Sequence, residues 1–506
     1  MLPFDNKSEM QVILNMPEGT PLAVTTRAAQ EMAAAATTLP QVTDVQLYVG
    51  TAAPINFNGL VRHYDLRAGA HVADLQINLL GKDERDEQSH LLAKRLRPLV
   101  TEIAEAYGAT VQVAEVPPGP PVLATLVGEA YGPTGEDREA LARQVEAIFR
   151  ATPGVVDVDL LVEAPQPQWT FQVDREKAAL HGVAAAQVSR TLRLAVAGEE
   201  VGLLHRPREV EAVPVRLEVP RGQASSIVAL GQLRLAAQDG TLVPLAELAR
   251  VEQSTLAPSL HRKNLRPVVY VTGDVASLSG GGESPVYAIL DMAEQVAALP
   301  GGPELHYRAQ PTATEKPTFK WDGEWQITYE VFRDLGAAFG AVLILIYLLI
   351  VGWFGSFRTP LVMMIAIPLS LVGILPAHWF FGAFFTATSM IGFIALAGIM
   401  VRNSVLLIDF MELSRRGGAT LEEAVIQAGA VRLRPILLTA GTVVVGAMVI
   451  LFDPIFEGLA ISLMAGAIAS TGLTLIVVPV VYYLMEARHI EENPTSEDSS
   501  RETTEA

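Results

Sequence analysis

TATSMIGFIALAGIMVRNSVLLIDFM, residues 386–411, decides how the rest of the chain is read. A helix needs about 20 apolar residues to cross a bilayer. This run exceeds that length and carries charge only at Arg402 and Asp409. It has neighbours of the same kind. Residues 335–357 and 359–401 are uncharged, the second stretch being long enough for two crossings with a break near 381–385. Residues 435–452 and 458–485 follow. The expected spans are 335–355, 360–380, 386–411, 435–452 and 458–485. Five such runs in series do not read as buried helices of a soluble core.

Charge in the loops predicts orientation. Arg358 follows the first span, and Arg415, Arg416, Arg432 and Arg434 follow the third. The other two loops carry no basic residue. Basic loops face the cytoplasm, so residues 1–334 are expected outside and the C-terminus inside. An outside region of that size has no visible signal or helix ahead of it, which predicts a missing N-terminal part with at least one span. The acidic, Ser/Thr-rich tail 486–506 reads as disordered.

Residues 1–334 have ordinary soluble charge density and repeat internally. Strand, helix and the pattern P-x-V-x-D-V-x-L occur at 40–47 and again at 153–160, an offset of 113. Each copy has a second half, predicting two ferredoxin-like β-α-β-β-α-β units. The first covers 9–116; the second covers 121–165 and 263–310, interrupted by an insertion at 166–262. Pro117–Pro121 reads as a stiff joint, and 311–334 as a connector to the membrane. The fold class is therefore an α+β outside region followed by an all-α bundle of five transmembrane helices.

Composition excludes several functions. The net charge of −18 opposes nucleic-acid binding. With no cysteine there is no disulfide, thiolate metal site or Cys nucleophile. The nine histidines show no ligand spacing, and no nucleophile elbow is present. Gly280, Gly281 and Gly282 precede a helix opened by Pro285, but no Lys-Ser/Thr follows, so they read as a connection and not a phosphate cradle. No enzyme, cofactor or resident metal is expected.

Arg402 carries the chemistry. It lies nine residues before Met411, about 13 Å deep at 1.5 Å per residue. An arginine near mid-bilayer costs at least about 2.5–3.5 kcal/mol unless paired or hydrated. Asp409 lies two turns away, near the boundary, and no other acid lies inside the expected spans. The partner acid is thus expected on a segment outside this chain. Asn403 is placed to hydrogen-bond between helices, and Gly336 and Gly340 would permit close helix contact.

Several motifs carry a resemblance: MLPFDNKSE at 1–9, QVDREKAALHGV at 172–183, DGTLVPLAELA at 239–249, IPLSLVGILP at 367–376, GIMVRNSVLLIDF at 398–410 and VRLRPILLT at 431–439. The chain resembles the C-terminal half of the resistance-nodulation-division efflux permeases, over nearly its whole length. The resemblance implies two porter subdomains, with the insertion as a docking subdomain. It implies a homotrimer in the bacterial inner membrane, working with a periplasmic adaptor protein and an outer-membrane channel. The coupling ion it implies is the proton, with hydrophobic or amphiphilic compounds exported from the periplasm or membrane. The proton relay it implies falls on Arg402, Asn403, Arg432 and Thr439, opposite two aspartates of the absent half. Many relatives carry lysine where Arg402 stands. Arginine keeps its charge at any working pH, so Arg402 is expected to be a fixed counter-ion and not a proton carrier. Two other readings are a heavy-metal cation exporter of the same family, which the absence of cysteine and of a methionine cluster disfavours, and a membrane-anchored, non-transporting sensor or binding module.

Overall fold

A computed structural model describes residues 4–492 apart from 117, 118, 120, 221, 223–225, 277–283, 313 and 314. Most of the proline-rich joint, the Gly280–Gly282 loop and the tail beyond 492 lie outside the described residues.

The first subdomain of the α+β region runs β1 (Glu9–Asn15), α1 (Leu22–Ala36), β2 (Val42–Thr51), α2 (Phe57–Arg62), β3 (Ala68–Leu79), α3 (Ser89–Ala106) and β4 (Thr110–Ala114). Its sheet has the order β2-β3-β1-β4 with antiparallel ladders throughout. Alternate residues of a strand face opposite sides. Met10, Val12 and Leu14 of β1 therefore enter the core with Ala28, Met32 and Ala36 of α1 and Leu92, Leu96 and Val100 of α3. The helix residues recur every four positions, so each helix turns one stripe to that face of the sheet.

The second subdomain begins with β5 (Leu126–Tyr131), α4 (Gly135–Ala151) and β6 (Val155–Leu160). A capping box between Thr134 and Asp137 starts α4. Residues Glu163–Ser259 then form a compact body of their own. That body holds β7 (Pro167–Val173), α5 (Arg175–Leu180), α6 (Ala185–Ala197), β8 (Glu199–Leu204), β9 (Val213–Leu217), α7 (Ile227–Gly231), β10 (Arg234–Ala236), β11 (Leu242–Pro244), α8 (Leu245–Leu248) and β12 (Ala249–Thr255). Its small core is built on Val188, Leu235, Leu245 and Leu248.

The second subdomain resumes with β13 (Arg262–Lys263), β14 (Arg266–Pro267), β15 (Val269–Val275), α9 (Pro285–Ala297), β16 (Glu304–His306) and β17 (Thr318–Gly323). Its sheet is five-stranded, β16-β17-β5-β15-β6. The stretch read as a connector, 311–334, thus contributes a strand wedged between β16 and β5. Phe319 and Trp321 of β17 are fully buried, their rings 4.9 Å apart, and Trp321 stacks on Phe149 at 5.9 Å. Gly128 of β5 makes room: a Cβ there would lie 2.4 Å from the Phe319 ring.

Five helical segments have the length and hydropathy to cross a membrane. They run as α10 (Glu324–Phe354), a second span broken into α11 (Thr359–Met364), α12 (Ala366–Leu369) and α13 (Leu371–Phe381), then α14 (Ala387–Arg416), α15 (Leu421–Met448) and α16 (Glu457–Glu492). Pro368 and Pro376 lie in the broken span and remove backbone donors from it. Two helices start earlier than charge and hydropathy suggested. α10 begins at Glu324 because β17 runs directly into it through Gly323. α15 begins at Leu421, where Thr420 and Glu423 form a capping box, and it passes through Pro435. α16 packs closely on its neighbours at small residues. A Cβ on Gly373 would lie 2.3 Å from that of Ala469, and one on Gly466 would lie 2.3 Å from Leu396. Gly336 and Gly340, read as possible contact points, have nothing within 4 Å.

Candidate functional site

α14 divides into two faces. Gly392, Phe393, Leu396, Ala397, Met400, Asn403, Ser404, Leu407, Ile408 and Met411 are buried in the bundle. Ile391, Ala395, Gly398, Arg402, Leu406, Asp409 and Leu413 are exposed. The exposed positions step by three and four, so they form one stripe along the helix. Arg402 sits at its centre, 15 residues after Ala387 and 14 before Arg416. At 1.5 Å per residue that is about 21 Å from the basic end of the helix.

Among the described residues no carboxylate lies within ion-pair distance of Arg402, and Asp409, on the same stripe, has no cation within that distance. A cation at membrane depth is costly to leave against lipid tails, and among the described residues these helices supply no acid to pair with it.

Asn403 is buried, about 100° around α14 from Arg402. Arg432 of α15 lies over the Phe410 ring, its guanidinium carbon 5.3 Å from the centroid. Its Nε is buried and without a hydrogen-bond partner. Thr439 donates its hydroxyl to the Ile436 carbonyl of its own helix at 2.9 Å. No hydrogen bond among the described residues joins Arg402 to Arg432 or Thr439. The four expected relay residues therefore do not form one connected cluster within this chain. α15 is itself mostly exposed, and in α10 Ile350 is the one buried residue.

Two polar constellations escaped the sequence reading. The first is in the bundle. His378 of α13 binds the Ile374 carbonyl through Nδ1 at 2.9 Å, and its Nε2 meets the Ser389 hydroxyl at 2.9 Å. Thr386 and Thr388 extend that network. The second joins the two outside subdomains. Arg62 donates to Asp274 at 2.8 Å, and Arg97 makes a two-pronged contact with Asp157, each bond 3.0 Å. All four side chains are nearly inaccessible. Burial alone would raise the Asp274 carboxyl, but the Arg62 charge and bonds from Arg62 and Thr125 hold it below its ordinary value. Asp157 is the aspartate of the repeated P-x-V-x-D-V-x-L pattern. Its counterpart Asp44 is exposed and accepts from Asn78 at 2.7 Å, so the repeat located the residue but not its role.

Five long apolar helices among the described residues, one carrying a cation within it, define a polytopic membrane protein. The chain is a member of the AcrB/AcrD/AcrF family, which it matches over residues 1–486, and so of the resistance-nodulation-division permeases. The swarming motility protein SwrC of Bacillus subtilis is 25% identical over 380 residues, 73% of this chain and 34% of that protein. The cobalt-zinc-cadmium resistance protein CzcA of Cupriavidus metallidurans is 26% identical over 376 residues, 72% of this chain and 34% of that protein. Among solved structures, a heavy metal efflux pump superposes with a TM-score of 0.77 at 22% identity, over 96% of this chain and 47% of that one. The chain spans about a third of these curated relatives and about half of that solved chain.

Proposed function

We propose that this chain is the C-terminal half of a proton-driven export permease and supplies the fixed cation of its proton relay. The exposed Arg402–Asp409 stripe carries this reading. A complementary half bearing membrane aspartates would cover the stripe. Each ionised aspartate would pair with Arg402, and protonation would release it, changing how the two halves pack. Arg432 and Thr439, on the neighbouring helix, would line the same route. In this reading the basic loops face the cytoplasm, which puts residues 1–334 in the periplasm and the C-terminus in the cytoplasm. The two outside subdomains then act as porter units and 163–259 as a docking unit. The working assembly in this reading is a homotrimer with a periplasmic adaptor and an outer-membrane channel, exporting hydrophobic or amphiphilic compounds.

A second substrate reading has its own support: CzcA is named for cobalt, zinc and cadmium resistance, and the superposing structure is titled a heavy metal efflux pump. Against it, the chain has no cysteine, and no group of three or more His, Cys, Asp or Glu is placed to hold an ion among the described residues. The deciding experiment expresses the complete pump in a host lacking its own exporters. Dye and detergent export are measured beside tolerance to cobalt, zinc and cadmium. Export of dyes without added metal tolerance supports the first reading, and the converse supports the second. Undiminished transport of either class by an Arg402→Ala pump would refute the relay assignment.

A further inference from the structure

The two outside subdomains meet at a seam built unlike the inside of either. Each has its own apolar core, and the two cores share no residue. β4 is the edge strand of the first sheet and β6 of the second, and they lie side by side without forming a ladder. Carboxylates stand where main-chain carbonyls would otherwise accept. Asp157 takes the Val113 N–H at 3.0 Å, and Asp159 takes the Gln112 side-chain amide at 3.1 Å. Asp157 holds this position at φ +54°, a left-handed conformation costly for a residue with a Cβ. The surroundings over-determine it through Arg97 and Val113.

The three seam aspartates are not equivalent. Asp157 has Arg97 and Asp274 has Arg62. Asp159 has no cation within ion-pair distance among the described residues. Its two oxygens accept only from neutral donors, Gln112 and the Leu160 N–H. Gln112 in turn accepts from the Tyr64 hydroxyl at 2.7 Å. Flipping the Gln112 amide would let its oxygen accept a hydrogen bond from a neutral Asp159 carboxyl, with Tyr64 accepting from the amide. The neutral acid is then satisfied across the seam, whereas the ionised acid has neutral donors and no cation to offset its desolvation.

We propose that Asp159 makes the seam a proton-tightened closure: neutral Asp159 holds the two subdomains together, and its ionisation loosens them.

The charges around Asp159 agree with that sign. Burial raises its carboxyl to about 6; Arg67 and Arg150 favour the ionised form from a distance, and Glu146 of α4 opposes it. Between the ordinary carboxylate value and 6 the closed seam binds a proton that a solvated Asp159 would not, so closure strengthens as pH falls through that window. Of the other seam carboxyls, Asp157 is also raised, chiefly by burial, and acts in the same direction. Asp274 is held low and stays ionised there. Burial pushes the Tyr64 phenol up to about 12, so it remains neutral. Arg62, Arg67, Arg97 and Arg150 keep their charge. His90, bound to Glu115 at 2.8 Å, lies beside Arg97, and Glu324 at the start of α10 interacts with Asp274 and Arg62.

The chain contains no cysteine, so a labelled pair can be introduced cleanly. Glu105→Cys on α3 and Gln144→Cys on α4, both exposed, would carry spin labels on the full chain in detergent or nanodiscs. Double electron–electron resonance is then recorded from pH 8 to pH 5. The expected result is a broad distribution at pH 8 that narrows and shortens with a midpoint near 6. Asp159→Asn, which mimics the neutral acid, should give the narrow distribution at every pH. Gln112→Ala should give the broad one at every pH. His90→Gln should leave the response in place. A wild-type distribution that does not change with pH, an Asp159→Asn response like wild type, or loss of the response in His90→Gln would each overturn the proposal.

Discussion

Arg62 is buried within this chain and Arg402 stands exposed on a helix of membrane-spanning length, and the molecule treats the two in opposite ways. In the outside region Arg62 meets Asp274 and Arg97 meets Asp157, each pair completed inside this chain. In the bundle Arg402 stands on an open stripe with no acid in reach among the described residues. The α+β region balances its buried charge by itself, whereas the cation of the bundle has no acid in reach among the described residues. A buried pair is strongly destabilised by losing one member, because the survivor keeps its desolvation penalty. An unpaired cation carries that penalty until its partner arrives, which makes it a point where association and protonation control structure.

The largest test of this contrast is Arg402→Ala in the complete pump. Transport should fall to background in a dye-efflux assay while crosslinking still detects the assembled oligomer, because the stripe contributes little to the fold of this chain. Arg402→Lys, which keeps a cation, should retain measurable transport. If the alanine variant fails to assemble, Arg402 has the structural role of Arg62 and the contrast breaks.

Arg62→Ala should show the reverse. Removing it leaves Asp274 buried without a cation, a loss of about 3–5 kcal/mol. Chemical denaturation of the full chain in detergent should register that loss in the outside region. The core variant Phe319→Ala should cost a similar 3–5 kcal/mol or so through the cavity it leaves, and it tests whether β17 belongs to that core.

Gly466→Val sharpens the comparison within the bundle. Its Cβ would enter the space of Leu396 and Ile374, and overpacking of this kind costs about 1–3 kcal/mol. The same substitution at Gly336, which has open space around it, should leave the thermal midpoint of this chain nearly unchanged. The smallest effect concerns pH. Asp274 is held below its ordinary value, so the stability it contributes is present above about pH 4 and lost as pH falls further. Thermal midpoints should therefore drop below pH 4 in wild type, and this acid limb should flatten in Asp274→Asn.

Much of the architecture was legible in one dimension because its signals are local. Hydropathy marks five spans, since twenty apolar residues have few other uses. The repeated strand–helix pattern matches elements that the structure contains in both copies. β17 was missed although Thr318–Gly323 alternates Phe319 and Trp321 with Lys320 and Asp322, the period-two pattern of a half-buried strand. Its nearness to the first span made it look like a tether. The start of α15 was missed because a hydropathy count sees only its apolar part, while the Thr420–Glu423 capping box marks its true beginning.

Arg402 was conspicuous in the sequence for a simple reason: a charge inside an apolar run stands out against its neighbours. The seam was invisible for the opposite reason. Arg62, Arg97, Asp157 and Asp274 sit among ordinary charged residues, and nothing local says that 62 and 274 will meet. The sequence by itself determined that this is a membrane protein with a repeated α+β region and one costly cation within an apolar run, because length, hydropathy and repetition are properties of contiguous residues. Only the tertiary structure decided which charges are paired, which face of α14 is left open, and that the two subdomains meet through carboxylates instead of a shared core. Those outcomes depend on contacts between residues up to 212 positions apart, set by how the sheets and helices pack.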